Sequence, residues 1–269
     1  MARRVVESVL GTAPAAAGAG PVDVTMLRLY IIVGARPRSP PWWVREWRNP
    51  FSGVKPPVQA LFHPDFLIEI EPIGRGPESE VTVTLKGNRV VVVGGSSGIG
   101  LETARLALAA GASVTIAGRS EDRLRRAAAD LGGTVRSVVA DVTKDAAVQA
   151  LFDGETRVDH VFLPAGELKP GGGDVLGSDL NALRSILESC LLGVVHVVRR
   201  ARPKMTGGSI TLMSGLYANR PAPGAALGAA AVAAVDGLTR ALALDLAPIR
   251  VNAVAPGLID TPLWDSFGP

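Results

Sequence analysis

Two kinds of segment alternate along the chain from Val81 onward. Short, mainly apolar runs without helical spacing, "RVVVVGG" (89–95), "SVTIAG" (113–118), "VRSVVAD" (135–141), "HVFLPAG" (160–166), "GSITLMS" (208–214) and "IRVNAVAPG" (249–257), predict buried strands. Between them lie segments with helical spacing: "IGLETARLALAAG" (99–111), closed by glycine, "SEDRLRRAAADLG" (120–132), with Ser120 as N-cap, and "KDAAVQALFD" (144–153). A long helix around Leu183 to Ala201 and an alanine-rich helix within Gly224 to Pro248 complete the series. Continuous apolar strands separated by helices imply a parallel sheet covered on both faces and joined by right-handed crossovers. The fold class is therefore α/β, a doubly wound Rossmann-type sheet, with its ligand expected outside the C-terminal strand ends.

The stretch before Val81 is different. It holds eleven of the twenty prolines and Trp42, Trp43 and Trp47, in "RPRSPPWWVREWRNPF" and "VKPPVQALFHPDF", where neither periodicity survives. Residues 1–80 are expected to be an irregular or disordered extension, and residues 81–269 one nucleotide-binding domain. The tryptophans between basic residues suit either a partner contact or a loosely ordered tail.

Composition narrows the function classes. With 20% charged residues and a formal net charge of +3, the chain has no basic footprint for nucleic acid, although a pI near 9.3 suits a small phosphorylated ligand. The single cysteine, Cys190, excludes an intrachain disulfide framework and a Cys-based zinc site. His63, His160 and His196 lack ligand spacing, so no metal is expected. "MLRLYIIVGA" is interrupted by Arg28 and too short for a bilayer, and Glu7 falls in what would be a signal peptide's apolar core. A cytoplasmic protein with a small-molecule substrate, and neither a nucleic-acid nor a membrane partner, is expected; an arginine-rich organelle leader stays open.

"VVVGGSSGIG", Val91 to Gly100, joins the first of these strands to its helix. Gly94 permits a tight turn, Gly98 lets the backbone approach a pyrophosphate, and Gly100 lets the helix lie against the strand. The free N–H groups at the helix start then bind the anion.

This loop resembles that of the short-chain dehydrogenase/reductase family, Thr-Gly-x-x-x-Gly-x-Gly, with Val93 in place of the threonine. The resemblance runs from about Val81 to Pro262. It implies cofactor contacts from Gly94, Ser96, Ser97, Gly98, Ile99 and Gly100. In that family the residue after the second strand selects the cofactor. Gly118 stands where NAD-preferring members carry an acid, and Arg119 can pair with a 2′-phosphate, so NADP(H) is expected over NAD(H). "VADVT" resembles the family's Asp-Val, giving Asp141 to the adenine amino group and Val142 to its ring. "LPAG" stands at the Asn-Asn-Ala-Gly position, with Ala165 and Gly166 kept and Leu163 and Pro164 replacing the asparagines. "VNAVAPGLIDT" resembles the family's Pro-Gly strand, which implies Pro256 and Gly257 against the nicotinamide and Thr261 near its carboxamide or the phosphates.

The family transfers hydride between nicotinamide and a carbonyl or hydroxyl carbon, with a Tyr-x-x-x-Lys pair on the fifth helix and a serine on the preceding strand. Here Gly228 takes the tyrosine position and Val232 the lysine position. Tyr30 and Tyr217 are the only tyrosines, and no lysine follows either at that spacing. The fourth helix's asparagine reads as Cys190 before Gly193. Ser214 alone remains of the four, and Tyr217, Glu167 and Arg220 are candidate substitutes as acid or orienter. The alanines of the fifth helix suit a homo-oligomer built through the fourth and fifth helices. Family members continue past the Pro-Gly strand with a covering segment and a last strand, whereas this sequence stops at "TPLWDSFGP", so its sixth strand is expected to be a sheet edge.

An NADP(H)-dependent oxidoreductase acting on a carbonyl or alcohol through a degenerate site, with Ser214 and Tyr217 as the catalytic candidates, is the first reading. A non-catalytic NADP-binding scaffold or sensor, and a non-redox isomerase or cyclase, are the others.

Overall fold

The structure, a computed structural model, describes residues 26–33, 66–73, 84–132, 135–166, 174–221, 223–256, 259 and 261–263. Its strands are β1 (Met26–Val33), β2 (Phe66–Ile73), β3 (Arg89–Val93), β4 (Ser113–Gly118), β5 (Arg136–Val139), β6 (His160–Leu163), β7 (Ser209–Met213) and β8 (Arg250–Val254). Helices α1 (Gly98–Ala109), α2 (Glu121–Leu131), α3 (Asp145–Asp153), α4 (Leu180–Leu187), α5 (Gly193–Ala201) and α6 (Ala226–Asp245) connect or follow them. The sheet order is β2-β1-β8-β7-β6-β3-β4-β5, and β8 through β5 run parallel, with the crossover at β3 that defines a doubly wound sheet.

The inner strands β3, β4, β6 and β7 are buried on both faces, as a covered sheet requires, whereas β5 at the end of the sheet is largely exposed. In β3, Val91 and Val93 enter one core with Val161, Leu163 and Leu212, while Val90 and Val92 enter the other with Ile116 and Phe162. Alternation along the strand thus feeds two cores. Helix α1 lies close because it turns Gly100, Thr103, Ala104 and Ala107 inward, all small. Ser120 caps α2 as its sequence suggests, its side chain accepting from the Arg123 N–H.

Three expectations are corrected. Residues 26–33 and 66–73, inside the stretch expected to be irregular, are strands paired antiparallel from Met26↔Ile73 to Val33↔Phe66. Both runs are rich in β-formers, and in "FLIEIEPI" Ile68, Glu69, Ile70 and Glu71 alternate, a signal swamped by the surrounding prolines. In consequence β8 is not an edge: β1 pairs parallel with it through Leu27↔Val254. The helix expected over Leu183 to Ala201 begins at Leu180 and is interrupted by a π-helical turn, Glu188–Leu192.

Among the described residues, the stretches Leu180–Lys204 and Ala226–Asp245 also reach the length and apolar composition of a bilayer span. This was not anticipated from the uninterrupted apolar runs. Each packs one side against the domain, which accounts for the apolarity there: Val197 and Ala201, and Val235 and Thr239, are buried.

At the opposite end of the strands from the glycine loop, His160 is held between the Asn88 amide and the Ser209 hydroxyl, each at 2.9 Å. The Asn88 amide nitrogen donates to Nε2, so the proton sits on Nδ1 and points at Ser209. Burial, with help from Arg250 and against the pull of Asp159, pushes its pKa down to about 4. The folded state thus resists a proton that the unfolded chain accepts near 6.5. Its contribution is complete above that pH and is lost as pH falls toward 4, roughly 3 kcal/mol across the window. Denaturant melts of His160→Gln between pH 7 and pH 4 are expected to show a shallower acid loss than the unaltered protein; equal slopes would remove His160 from the account.

Candidate functional site

The loop after β3 is built from glycines that nothing else can replace. Gly94 has φ +105°, and a Cβ there would lie 2.9 Å from the Ala165 nitrogen. A Cβ at Gly100 would lie 2.1 Å from the Gly94 carbonyl oxygen and 3.0 Å from Pro164. Gly98 has φ +52°, and its Cβ position is 3.2 Å from the Thr261 side chain. The loop is tied down by Gly94 N–H to the Ala117 carbonyl at 2.8 Å and by Ala165 N–H to the Val93 carbonyl at 3.1 Å. Ser97 is the N-cap residue of α1, yet its side chain makes no capping bond. The result is a shallow cradle of backbone at a helix start, walled by Ala165 and Pro164 on one side and Thr261 on the other. A dinucleotide pyrophosphate fits such a cradle, because any side chain on the three glycines would fill it.

Ser96, Gly118, Arg119 and Asp141 form the next corner. Gly118 ends β4, and its Cβ position is 3.3 Å from the Ser96 hydroxyl. Arg119 is exposed beside it. Burial opposes ionisation of Asp141, but bonds from the Thr143 N–H at 2.9 Å and hydroxyl at 2.8 Å outweigh it, aided by the charges of Arg119 and Lys144. The carboxyl is held below its ordinary range. Val142 is 7% exposed and belongs to the core, in a space that a Cβ on Gly193 would invade to 2.8 Å. Its carbonyl is 2.8 Å from His196 Nδ1, and since a carbonyl can only accept, that nitrogen carries the proton. Thr143 and His196 brace this corner from behind. Neither was anticipated: the Thr of "VADVT" is a visible turn signal, but His196 comes from a helix far along the chain.

The third part lies at the ends of β6, β7 and β8. Gly166 is exposed, and its Cβ position is 3.4 Å from Cys190 Sγ, so the π-turn brings the thiol to the "LPAG" loop. Ser214 is 4% exposed, its backbone N–H bonded to the Val254 carbonyl at 2.8 Å. Its hydroxyl donates to the Val232 carbonyl at 3.2 Å. Tyr217 is half-buried in a tight turn, Leu216–Ala218, that is pinned to Pro256 by the Leu216 N–H at 3.1 Å. Gly228 is in the first turn of α6, partly covered, and a Cβ there would meet nothing within 4 Å. Ile99 is partly buried behind the loop, packed on the core face that carries Val92. Arg220 is exposed after the Tyr217 turn. Gly257 and Glu167 lie outside the described residues.

Backbone cradle, carboxylate corner and serine follow the C-terminal ends of β3, β5 and β7, and the comparisons with known proteins give the family of the chain. The family model described as Enoyl-(Acyl carrier protein) reductase matches residues 93–268. The chain belongs to the short-chain dehydrogenase/reductase family, a family of oxidoreductases. Among its relatives is the short-chain dehydrogenase/reductase ATR9 of Stachybotrys chlorohalonatus, 32% identical over 69% of this chain and 78% of that protein. Among solved structures, the MalC reductase/Diels-Alderase of Malbranchea aurantiaca superposes with a TM-score of 0.63 at 28% identity, covering 68% of this chain and 78% of that one. The 3-ketoacyl-(acyl-carrier-protein) reductase of Brucella melitensis, solved with NADH, gives a TM-score of 0.62 at 29% identity, covering 68% and 80%.

The glycine loop, Asp141, Ala165, Gly166 and Ser214 all lie just past the C-terminal ends of the strands. Gly228 and Val232, four residues apart on α6, carry no ionisable group. The Val232 side chain approaches the Cβ position of Gly215 to 3.7 Å.

Proposed function

We propose that this chain binds NADP(H) in preference to NAD(H) and reduces a carbonyl, or oxidises the corresponding alcohol, through a reduced catalytic set. The observation that carries the reading is the glycine cradle, whose three glycines are each required by a close approach or a positive φ. A nicotinamide cofactor held there supplies the hydride. The protein's own residues bind the pyrophosphate on backbone N–H groups, hold the adenosine end with Asp141, and border the reacting end with Ser214 and Pro256. Tyr217, on the turn that follows Ser214, is the candidate proton donor.

Cofactor choice rests on the Gly118–Arg119 corner. No carboxylate stands at Gly118 to accept from a ribose hydroxyl, and the Arg119 charge acts on Asp141, which supports reading both as the adenosine end. A charged hydrogen bond to the 2′-phosphate contributes about 1.5–3 kcal/mol, or ten- to a hundredfold. Calorimetric titration is the test: Arg119→Ala is expected to weaken NADPH by that factor while NADH binding changes little. Equal losses for both cofactors would refute the assignment.

Turnover tests the catalytic half. Tyr217→Phe is expected to lower NADPH-dependent carbonyl reduction roughly a hundredfold or more without weakening cofactor binding, the usual scale for a lost general acid. Unchanged turnover removes Tyr217 from the reaction. A second reading, a cyclase or isomerase that uses the pocket to position a substrate, is favoured by one observation: the reductase/Diels-Alderase neighbour shares the fold at 28% identity. Stereospecific deuteride transfer from labelled NADPH would decide against it.

A further inference from the structure

We propose that one stripe of α5, made of Gly193, His196 and Arg200, sets the preference for an adenine base, with His196 as the positioning residue. The inference rests on the proposed cofactor reading, which gives Asp141 the adenine amino group and Val142 its ring. Three contacts join the stripe to the turn that carries both residues. A Cβ on Gly193 would lie 2.8 Å from a Val142 methyl, so the start of α5 lies directly against that side chain. His196 Nδ1 donates to the Val142 carbonyl at 2.8 Å. Arg200 grips the Asp145 carboxylate with a fork, Nε at 2.9 Å and Nη2 beside it.

Positions 193, 196 and 200 share one helix face because they are three and four residues apart. The turn they meet is closed on itself. The Lys144 N–H bonds the Asp141 carbonyl at 3.0 Å, Thr143 bonds the Asp141 carboxylate through its N–H and its hydroxyl, and Asp145 opens α3. Holding Val142 by its carbonyl and Asp145 by its carboxylate therefore fixes the peptide run that aims Asp141. The Arg200 bond keeps the Asp145 carboxyl below its ordinary range against burial, and the charges of Arg200, His196 and Arg199 add to it. A carboxylate held in one place accepts from the amino group of adenine and repels the carbonyl oxygen that hypoxanthine carries there. A carboxylate free to swing away tells the two bases apart less well.

The test titrates the full chain calorimetrically with NADPH and with reduced nicotinamide hypoxanthine dinucleotide phosphate, its counterpart with oxygen in place of the amino group. The unaltered protein is expected to prefer NADPH at least about tenfold, the scale of one hydrogen bond to a charged group. His196→Leu, which has no donor, is expected to cut the preference to about threefold or less, and His196→Asn, whose amide can still donate to Val142, to keep it. A general loss of stability weakens both cofactors together and leaves their ratio unchanged, so the ratio separates positioning from packing. Arg200→Met is expected to lower the ratio too, and carries the test if His196→Leu does not fold. An unchanged ratio in the folded variants overturns the proposal. So does an unaltered protein that binds both cofactors equally, which removes the adenine contact that the stripe serves. A folded, unaltered protein that binds neither refutes the cofactor reading itself, and the inference with it.

Discussion

Installing tyrosine at Gly228 together with lysine at Val232 is expected to raise NADPH-dependent carbonyl reduction roughly a hundredfold to ten-thousandfold, the range that a positioned acid contributes. The backbone is ready for both. Gly228 has open space at its Cβ position, the two residues share one face of α6, and the Ser214 hydroxyl is bonded to the Val232 carbonyl. Replacing glycine in a helix also favours the helix itself, by about 1 kcal/mol against a good helix former. Gly228→Tyr alone is expected to gain much less, because without a neighbouring ammonium the phenol keeps an ordinary, high pKa. The measurement is NADPH consumption against an activated ketone, with cofactor affinity recorded in parallel. If the double variant binds NADPH as the unaltered protein does and turns over no faster, the Ser214 edge is not arranged for carbonyl reduction, and the scaffold reading gains.

The second large effect is at Gly100. An added methyl would sit 2.1 Å from the Gly94 carbonyl oxygen, a backbone atom in a loop held by bonds to both neighbouring strands. Neither side has a flexible end to move. Gly100→Ala is expected to weaken NADPH at least a hundredfold and to cost about 1–3 kcal/mol of stability, as overpacking does. Gly132→Ala is the comparison: φ is +95° there, a backbone strain that Gly100 lacks, but a Cβ meets nothing within 4 Å. It is expected to cost stability through backbone strain while leaving NADPH affinity alone. Equal cofactor affinity in the two variants would mean that the loop after β3 is not the pyrophosphate site.

The contrast between those glycines marks where the amino-acid sequence was informative. The loop was legible because the chemistry of anion binding demands the same residue at fixed offsets, and the inner strands were legible because burial on both faces leaves a mainly apolar run, while β5 was legible from its Val-Val pair between helices although it is largely exposed. The capping of α2 by Ser120 was legible for the same local reason. Features that depend on distant contacts were not. His196 reaches Val142 from α5, and the Ser214 hydroxyl takes the Val232 carbonyl, pairings that no spacing in the chain announces. The π-turn that carries Cys190 toward Gly166 needs one extra residue per turn, which leaves the hydrophobic period almost unchanged. Strands β1 and β2 were missed because their signal is short and proline-rich segments flank it on both sides.

Those two strands bear on how the protein is made. Strand β1 lies beside β8, so among the described strands the earliest to leave the ribosome pairs with the last. The β1–β2 pair is complete once residue 73 has been made, but its place in the sheet does not exist until β8 has been synthesised. Contacts of such long sequence separation slow folding, because the loop they close is paid for before they form. Until then the hairpin is an unpaired strand edge on a nascent chain, the kind of surface to which chaperones and neighbouring chains attach. For this architecture, the order of synthesis and the order of assembly run in opposite directions at one edge of the sheet.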